Sequence, residues 1–229
     1  LKPDEGLFQF PPWLVSKTEL LANLDLRRLA MKAAAQLFPK SGLPMGAVMI
    51  DSLVPYWSKY GELLGILKDW KMHRGSGREV RQSLGYFIAF ALAGHLEPVV
   101  KRADRQILLV PMPSRPCTEE QPGEFSLRLA TRVAHLLDVE LAPLLVHGLA
   151  HSNISMGDDF QRWKQMGLPV VVVDDQYTTG RSMKDALSLL DYHGFKIETA
   201  ITWSRKEREG IPNVDSSRRS SAVGRFGSG

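Results

Sequence analysis

The sequence has few of the features that mark secreted or membrane proteins. It contains one cysteine, Cys117, among 229 residues, so no internal disulfide can form, and a lone thiol fits a reducing compartment. No apolar run approaches the roughly 20 residues that cross a bilayer, because charges interrupt every helix-like segment. No secretory signal is visible. Together these absences predict a cytoplasmic protein with no membrane segment.

Two common phosphate-binding motifs are also absent. The string G-x-x-x-x-G-K-[ST] of nucleotide triphosphatases does not occur. Gly75-Ser76-Gly77 begins like a dinucleotide fingerprint, but Val80 stands where the third glycine belongs. The charged stretch 68–74 precedes it, where a buried strand would be needed. A polar turn between two helices is therefore the better interpretation of this stretch.

Positive charge is concentrated near the C-terminal end. From Arg205 onward there are six Lys or Arg against three acids, a net +3 out of the total of +4. A second basic cluster comprises Lys68, Lys71, His73, Arg74, Arg78 and Arg81. Nucleic-acid affinity needs clustered cations that displace counterions, whereas such charge runs are more often solvated helix faces. Binding of nucleic acid therefore stays open.

The order of apolar segments predicts one α/β domain with short additions at its ends. Strand-like and helix-like segments alternate over 78–203, which favours a parallel sheet with helices on both faces. Residues 1–45 are predicted to form an N-terminal helical segment, 46–206 the main domain, and 207–229 a disordered basic tail with little to bury. Strands are predicted over 47–53, 107–110, 139–142, 170–173 and 197–203, helices over 19–38, 59–71, 78–94, 125–137 and 183–192, and a polar loop over 147–165.

The stretch from Val170 to Ser182 carries the strongest functional signal. Its four consecutive valines are typical of a fully buried strand in a parallel sheet. Asp174 and Asp175 follow where that strand is predicted to end, and a hydroxyl-rich run with Gly180 leads into a helix. In open α/β sheets, ligands bind beyond the carboxyl ends of the strands. The stretch therefore predicts a ligand site.

The residue types in this stretch suit a phosphorylated sugar. A loop that enters a helix aims backbone N–H groups and the positive end of the helix dipole at an anion. Thr178, Thr179 and Ser182 can add hydroxyl donors, and Gly180 can take a positive φ so that the loop closes around the ligand. Carboxylates beside a phosphate cradle suit a ligand with a phosphate and vicinal hydroxyls, such as ribose 5-phosphate. The alternative is an acidic helix N-cap, which explains one aspartate and Ser182 without any ligand.

This stretch resembles the PRPP-binding motif of the type I phosphoribosyltransferases, in which a hydrophobic strand leads into two acidic residues and Thr-Thr-Gly. The resemblance implies a phosphoribosyltransferase-like fold in which Asp174 and Asp175 are the catalytic pair and bind the ribose 2′- and 3′-hydroxyls. It implies that the 5′-phosphate lies in a loop made of Gln176, Tyr177, Thr178, Thr179, Gly180, Arg181 and Ser182. It implies that pyrophosphate lies at Met112, Pro113, Ser114 and Arg115. Mg²⁺ is the implied cofactor, held mainly by PRPP and by no direct metal ligand of the protein.

Two parts of this assignment have competing interpretations. Arg115 is the cation of the pyrophosphate loop and its fork suits a phosphate, but a surface arginine between prolines fits equally well. The sequence does not identify the acceptor of the phosphoribosyl group. Tyr177, Trp163 and Phe160 can stack on a base, although buried core aromatics are the commoner role.

Over about residues 50–206, the order of segments also resembles the ComF family of phosphoribosyltransferase-like competence proteins. The stretch from Val54-Pro55-Tyr56 to Lys71 is similar to that family's segment before its core, and 107–113 to its strand ending in a Pro-x-Pro turn. Such proteins usually carry an N-terminal cysteine zinc ribbon, which a chain with one cysteine cannot form. The family's Arg-Gly-Phe-Asn-Gln stretch is here 121–126, without the arginine.

Three functions remain open at this point. The first is an enzyme that transfers the phosphoribosyl group of PRPP, and the second is a protein that senses PRPP or a nucleotide monophosphate without turnover. The third, implied by the ComF resemblance, is a DNA-uptake or DNA-processing accessory that contacts single-stranded DNA through the basic tail and the cluster at 68–81. No membrane partner is predicted, and a homodimer is compatible with each function.

Overall fold

The structure of the protein is a computed structural model that describes residues 23–68, 76–113, 125–147 and 154–206. In chain order its elements are α1 (Leu24–Leu37), β1 (Ser41–Met45), β2 (Val48–Pro55), α2 (Leu63–Lys68), α3 (Ser76–Arg102), β3 (Leu108–Pro111), α4 (Phe125–Leu137), β4 (Glu140–Leu141), β5 (Leu145–His147), β6 (Ile154–Met156), α5 (Phe160–Gln165), β7 (Val170–Tyr177), α6 (Arg181–Tyr192) and β8 (Ile197–Arg205). Within these ranges, no helix is both long and apolar enough to cross a membrane.

A six-stranded sheet with the order β1-β2-β8-β7-β3-β4 forms the centre of the fold. All neighbouring strands are parallel except β1, which pairs antiparallel with β2 at the edge. The chain leaves β3 through α4 towards β4 on one side, and leaves β7 through α6 towards β8 on the other. The strand order therefore reverses between β3 and β7, and such a switch point is where ligands bind in open α/β sheets.

Strand β7 is buried on both of its faces. Successive side chains of a strand point to opposite faces. Val171 and Val173 accordingly join the core formed with α1, α3 and α4, while Val170 and Val172 join the core formed with α6. All four valines are fully buried. The predicted fold class, a parallel sheet with helices on both faces and the valine run at its centre, is confirmed.

Helix α3 runs well beyond the helix predicted over 78–94, because Gly94 has a different role from the one expected. A glycine at that point is typical of a helix C-cap. Here it lies inside the helix at the crossing with α1, where an added Cβ would overlap the carbonyl oxygen of Met31 and lie 2.9 Å from Cβ of Ala35. The glycine therefore allows two helices to approach closely, and the helix continues through Pro98 to Arg102.

Two short paired segments were not predicted. Strand β1 forms a hairpin with β2 around Gly46, whose φ is 61°, and this hairpin spans the predicted boundary between residues 45 and 46. The interval predicted as a polar loop contains β6, which pairs with β5, and the helix α5. Neither segment is long enough to show apolar periodicity. The predicted tail, 207–229, lies outside the described residues.

Candidate functional site

The two aspartates lie inside β7, where the strand extends past its neighbour β3. Pairing with β3 ends at Val173, whose carbonyl accepts a hydrogen bond of 2.9 Å from the N–H of Met112. Beyond that point β7 continues to Tyr177 and pairs with β8. The expectation that the strand ends before Asp174 is therefore wrong. Because β3 stops first, the carboxylates still reach the crevice at the switch point.

Ser126, in the first turn of α4, connects the two carboxylates. Its hydroxyl donates a hydrogen bond of 3.0 Å to Oδ1 of Asp174 and lies 3.4 Å from Oδ1 of Asp175. The backbone N–H of Asp175 donates to the same oxygen of Asp174 at 2.8 Å. The sequence analysis missed Ser126. The signal was available, because a helix that follows β3 begins at the same edge of the sheet as the end of β7.

The carboxylate pair is electrostatically unfavourable by itself. Burial raises the pKa of Asp174 well above its usual value, and the negative charge of Asp175 raises it further. The hydrogen bonds from Ser126 and from the N–H of Asp175 act in the opposite direction. Asp175 is buried and Asp174 is half-buried, so the pair is only partly exposed to water. A ligand that offers hydroxyl donors or positive charge would relieve this penalty.

The loop after β7 turns sharply into α6 at Gly180. Gly180 has φ 76° and occupies the N-cap position of α6 without a side-chain cap. The aromatic ring of Tyr177 packs against this glycine so closely that an added Cβ would overlap the phenolic oxygen. The side chains of Thr178, Thr179, Arg181 and Ser182 are exposed. The loop therefore presents hydroxyls and the amino end of a helix to solvent, as an anion site requires.

The alternative of an acidic helix N-cap is wrong. Neither Asp174 nor Asp175 adjoins α6, because Gly180 is the N-cap residue. The carboxylates are instead five and six residues upstream, in the strand. A capping role therefore does not account for two adjacent like charges in β7.

The remaining predicted site residues are only partly described. Met112 follows β3 and its side chain is buried in the core on the α6 side, so it offers the site its backbone alone. Pro113 is half-buried at the end of the described range, and Ser114 and Arg115 lie outside the described residues. Gln176 is half-buried in β7 and pairs with Ser204 of β8.

Asp174 and Asp175 supply carboxylate oxygens at this site that suit a magnesium ion. Among the described residues, no group of three or more His, Cys, Asp and Glu is arranged to hold a metal ion. Mg²⁺ is commonly bound through one or two carboxylates together with substrate phosphates. The aspartate pair therefore fits a magnesium ion that arrives with a phosphorylated ligand.

Similarity between this chain and known proteins is found among solved structures. No family model matches the chain, so membership of the ComF family is not confirmed. None of the curated proteins matches it either. Among solved structures, the chain is similar to orotate phosphoribosyltransferase from Aeropyrum pernix, with 18% sequence identity, a TM-score of 0.34, and coverage of 79% of this chain and 81% of that chain. At these values the likeness carries no argument about ligand or activity.

Proposed function

We propose that this protein binds the ribose 5-phosphate moiety of PRPP and transfers the phosphoribosyl group. One observation carries the proposal: Asp174 and Asp175 lie at the switch point of the sheet, directly before a glycine-bearing loop that enters α6. Such a site offers carboxylates for vicinal hydroxyls and a helix amino end for a phosphate, side by side. A ribose 5-phosphate carries both kinds of group, a phosphate and vicinal hydroxyls.

The loop and the aspartates have separate roles in this proposal. The exposed hydroxyls of Thr178, Thr179 and Ser182, with the backbone at the start of α6, hold the 5′-phosphate. Asp174 and Asp175 accept hydrogen bonds from the ribose 2′- and 3′-hydroxyls. Ser126 fixes the direction of the carboxylates through its hydrogen bond to Asp174. The sugar is thereby oriented between the strand end and the loop.

The reaction breaks the bond between C1 of the ribose and pyrophosphate, and the bonding electron pair leaves with the pyrophosphate. A nucleophile forms the new bond to C1. Positive charge develops on the ribose in the transition state, and it favours ionisation of Asp174, whose charged form is disfavoured in the free protein. The carboxylate pair consequently interacts more strongly with the transition state than with the ground state, which is the condition for catalysis. A magnesium ion held by PRPP beside the aspartate pair would neutralise charge on the leaving pyrophosphate.

Calorimetry and a turnover assay test the proposal in sequence. Titration with ribose 5-phosphate, and with PRPP plus Mg²⁺, is expected to give saturable binding. Pyrophosphate release from PRPP in the presence of a panel of bases is then expected from the wild type and not from Asp175→Asn. Binding without release for every base would identify a PRPP-sensing protein, and absence of binding would overturn the proposal.

A further inference from the structure

An exposed tryptophan lies at the same edge of the sheet as the aspartate pair. Trp57 follows β2 and is 69% exposed. Its indole ring has the ammonium of Lys206 at 5.3 Å from its centroid and contacts the Tyr56 ring edge-on at 4.5 Å. Most of the ring is therefore available to a ligand that lies at this edge of the sheet.

Several hydrogen bonds close the turn that carries Trp57. Ser58 donates from its N–H and from its hydroxyl to the carbonyl of Pro55, at 3.1 and 2.6 Å. The same hydroxyl accepts from the N–H of Gly61 at 3.1 Å, and an added Cβ at Gly61 would overlap the carbonyl of Tyr56. The carbonyl of Tyr60 accepts a 3.0 Å bond from the buried indole of Trp203. These hydrogen bonds therefore set the backbone conformation of the turn from which the exposed Trp57 side chain extends.

Hydrogen bonds connect this turn to the end of β7. Pro55, Arg205 and Tyr177 pair in one row across β2, β8 and β7. The N–H of Tyr56 donates to Arg205, and the N–H of Lys206 donates to Tyr177, each at 2.8 Å. Two strand spacings, roughly 10 Å, separate β2 from β7. A ribose seated at β7 with a planar ring attached can span that separation.

We propose that Trp57, with the ammonium of Lys206 beside its ring, stacks on the planar aromatic ring of the ligand. This ring is either that of the acceptor, which becomes joined to the ribosyl phosphate, or that of a nucleotide, which already carries it. This inference rests on the proposed function, since it assumes that the sugar lies at Asp174 and Asp175. The aromatics expected from the sequence do not serve as well. The ring of Tyr177 is buried against Gly180, and Phe160 and Trp163 pack on the core.

The test compares two ligands that differ by the ring. Ribose 5-phosphate lacks the ring, whereas adenosine and uridine 5′-monophosphates carry one. Calorimetry on the full chain is expected to show that Trp57→Ala lowers affinity for at least one of the monophosphates by about 5- to 150-fold, the range for loss of one aromatic stack. Affinity for ribose 5-phosphate should be unchanged, and Trp57→Phe should keep most of the monophosphate affinity.

Tyr192→Ala provides the matched control, because Tyr192 is 84% exposed at the far end of α6. It should leave the affinity for both ligand types unchanged. Unchanged monophosphate affinity in Trp57→Ala would overturn the stacking role and leave the proposed function intact. An equal loss of affinity for both ligand types would also overturn the stacking role, because it would show that Trp57 stabilises the fold. Failure of the wild type to bind ribose 5-phosphate would instead overturn the proposed function, and the stacking role with it.

Discussion

The hydroxyl of Ser126 lies 3.0 Å from Oδ1 of Asp174, so the first turn of α4 fixes a carboxylate at the end of β7. This contact joins the helix that follows β3 to the strand that adjoins β3 in the sheet. The two elements that flank the switch point are thereby coupled through one hydrogen bond. Loss of the bond should alter the electrostatics of the site without removing a charge.

Ser126→Ala is expected to raise the pKa of Asp174 further, because the hydrogen bond from Ser126 favours the ionised carboxylate. Hydrogen bonds to charged groups contribute about 1.5–3 kcal/mol. Because the proposed complex holds Asp174 ionised, whereas the free protein disfavours that form, PRPP affinity should fall by up to roughly 10- to 150-fold. Titration of the Asp174 carboxyl carbon by NMR measures the pKa, and calorimetry measures the affinity.

Thr131→Ala is the control for that variant. Thr131 is exposed on the same helix, and its hydroxyl donates to the carbonyl of Leu127. The control should change neither the pKa of Asp174 nor the affinity for PRPP. An unchanged Asp174 titration in Ser126→Ala would contradict the assigned role of Ser126.

The central part of the fold, and the place of the aspartate pair at the carboxyl end of its buried strand, could be predicted from sequence. The valine run before Asp174 is long, β-branched and uninterrupted, so its burial in the middle of a parallel sheet follows from local residues alone. The same holds for α4, whose predicted and observed ranges agree. Its apolar residues recur with helical spacing over more than three turns, and nothing inside the helix interrupts them.

Features that depend on tertiary contact could not be predicted. Gly94 is a helix terminator by local propensity, and only the approach of α1 makes it a crossing point. Trp57 has no pattern around it, and its place level with the end of β7 follows from the strand order β2-β8-β7. Ser126 could be found only from the position of its helix after β3, and its contact with Asp174 depends on β3 adjoining β7. Strand order is set by packing between segments that are distant in sequence.

Gly94→Ala tests the crossing of α1 and α3. Alanine has the higher helix propensity by about 1 kcal/mol. The added Cβ would nevertheless overlap the backbone of α1, and displacing that backbone would lower the stability of the fold. Such overpacking typically costs about 1–3 kcal/mol, so a net loss of stability is expected by urea unfolding.

Gly85→Ala, on the same helix, is the matched control for the crossing. The Cβ there would meet the end of the flexible Arg132 side chain, which can move aside. This change is expected to be neutral or slightly stabilising. Equal effects of the two alanines would show that Gly94 has no special packing role.

Gly180→Val tests the loop that enters α6. A β-branched residue resists a φ of 76°, and its Cβ would overlap the ring of Tyr177. We expect loss of ribose 5-phosphate binding, measured by calorimetry, with a lower melting temperature. Gly167→Val serves as control, since Gly167 also has a positive φ, 64°, but has no atom within 4 Å of the added Cβ. If Gly180→Val bound ribose 5-phosphate as the wild type does, the loop would not be the phosphate site.

The raised pKa of Asp174 predicts how stability depends on pH. A carboxyl with a raised pKa binds its proton more tightly in the folded than in the unfolded state, so ionisation opposes folding. Below the usual Asp pKa of about 3.9, Asp174 is protonated in both states and Asp174→Asn should match the wild type. As pH rises from there through the raised folded pKa, the variant should become increasingly more stable than the wild type. Melting temperatures of both proteins between pH 4 and pH 8 measure the difference, and a constant difference over that range would contradict the assigned pKa direction.

The carboxylate pair gives the most direct test, because function and stability should change in opposite directions. In Asp174→Asn and Asp175→Asn the repulsion between neighbouring carboxylates is removed, so melting temperature at pH 7.5 should stay the same or rise. PRPP affinity should fall sharply in both, since a neutral amide is a weaker acceptor than a carboxylate for the ribose hydroxyls. Pyrophosphate release should fall further, since the amide carries no charge to stabilise the positive charge of the transition state. The structure sharpens this contrast, because neither aspartate caps α6 and no helix end is lost on substitution.

Melting temperature and PRPP affinity are to be measured on the same preparations, with Asp185→Asn on the exposed surface of α6 as the control for loss of one charge. A lower melting temperature with PRPP affinity unchanged in the two site variants would assign the pair to the fold and remove the basis for a phosphoribosyl site.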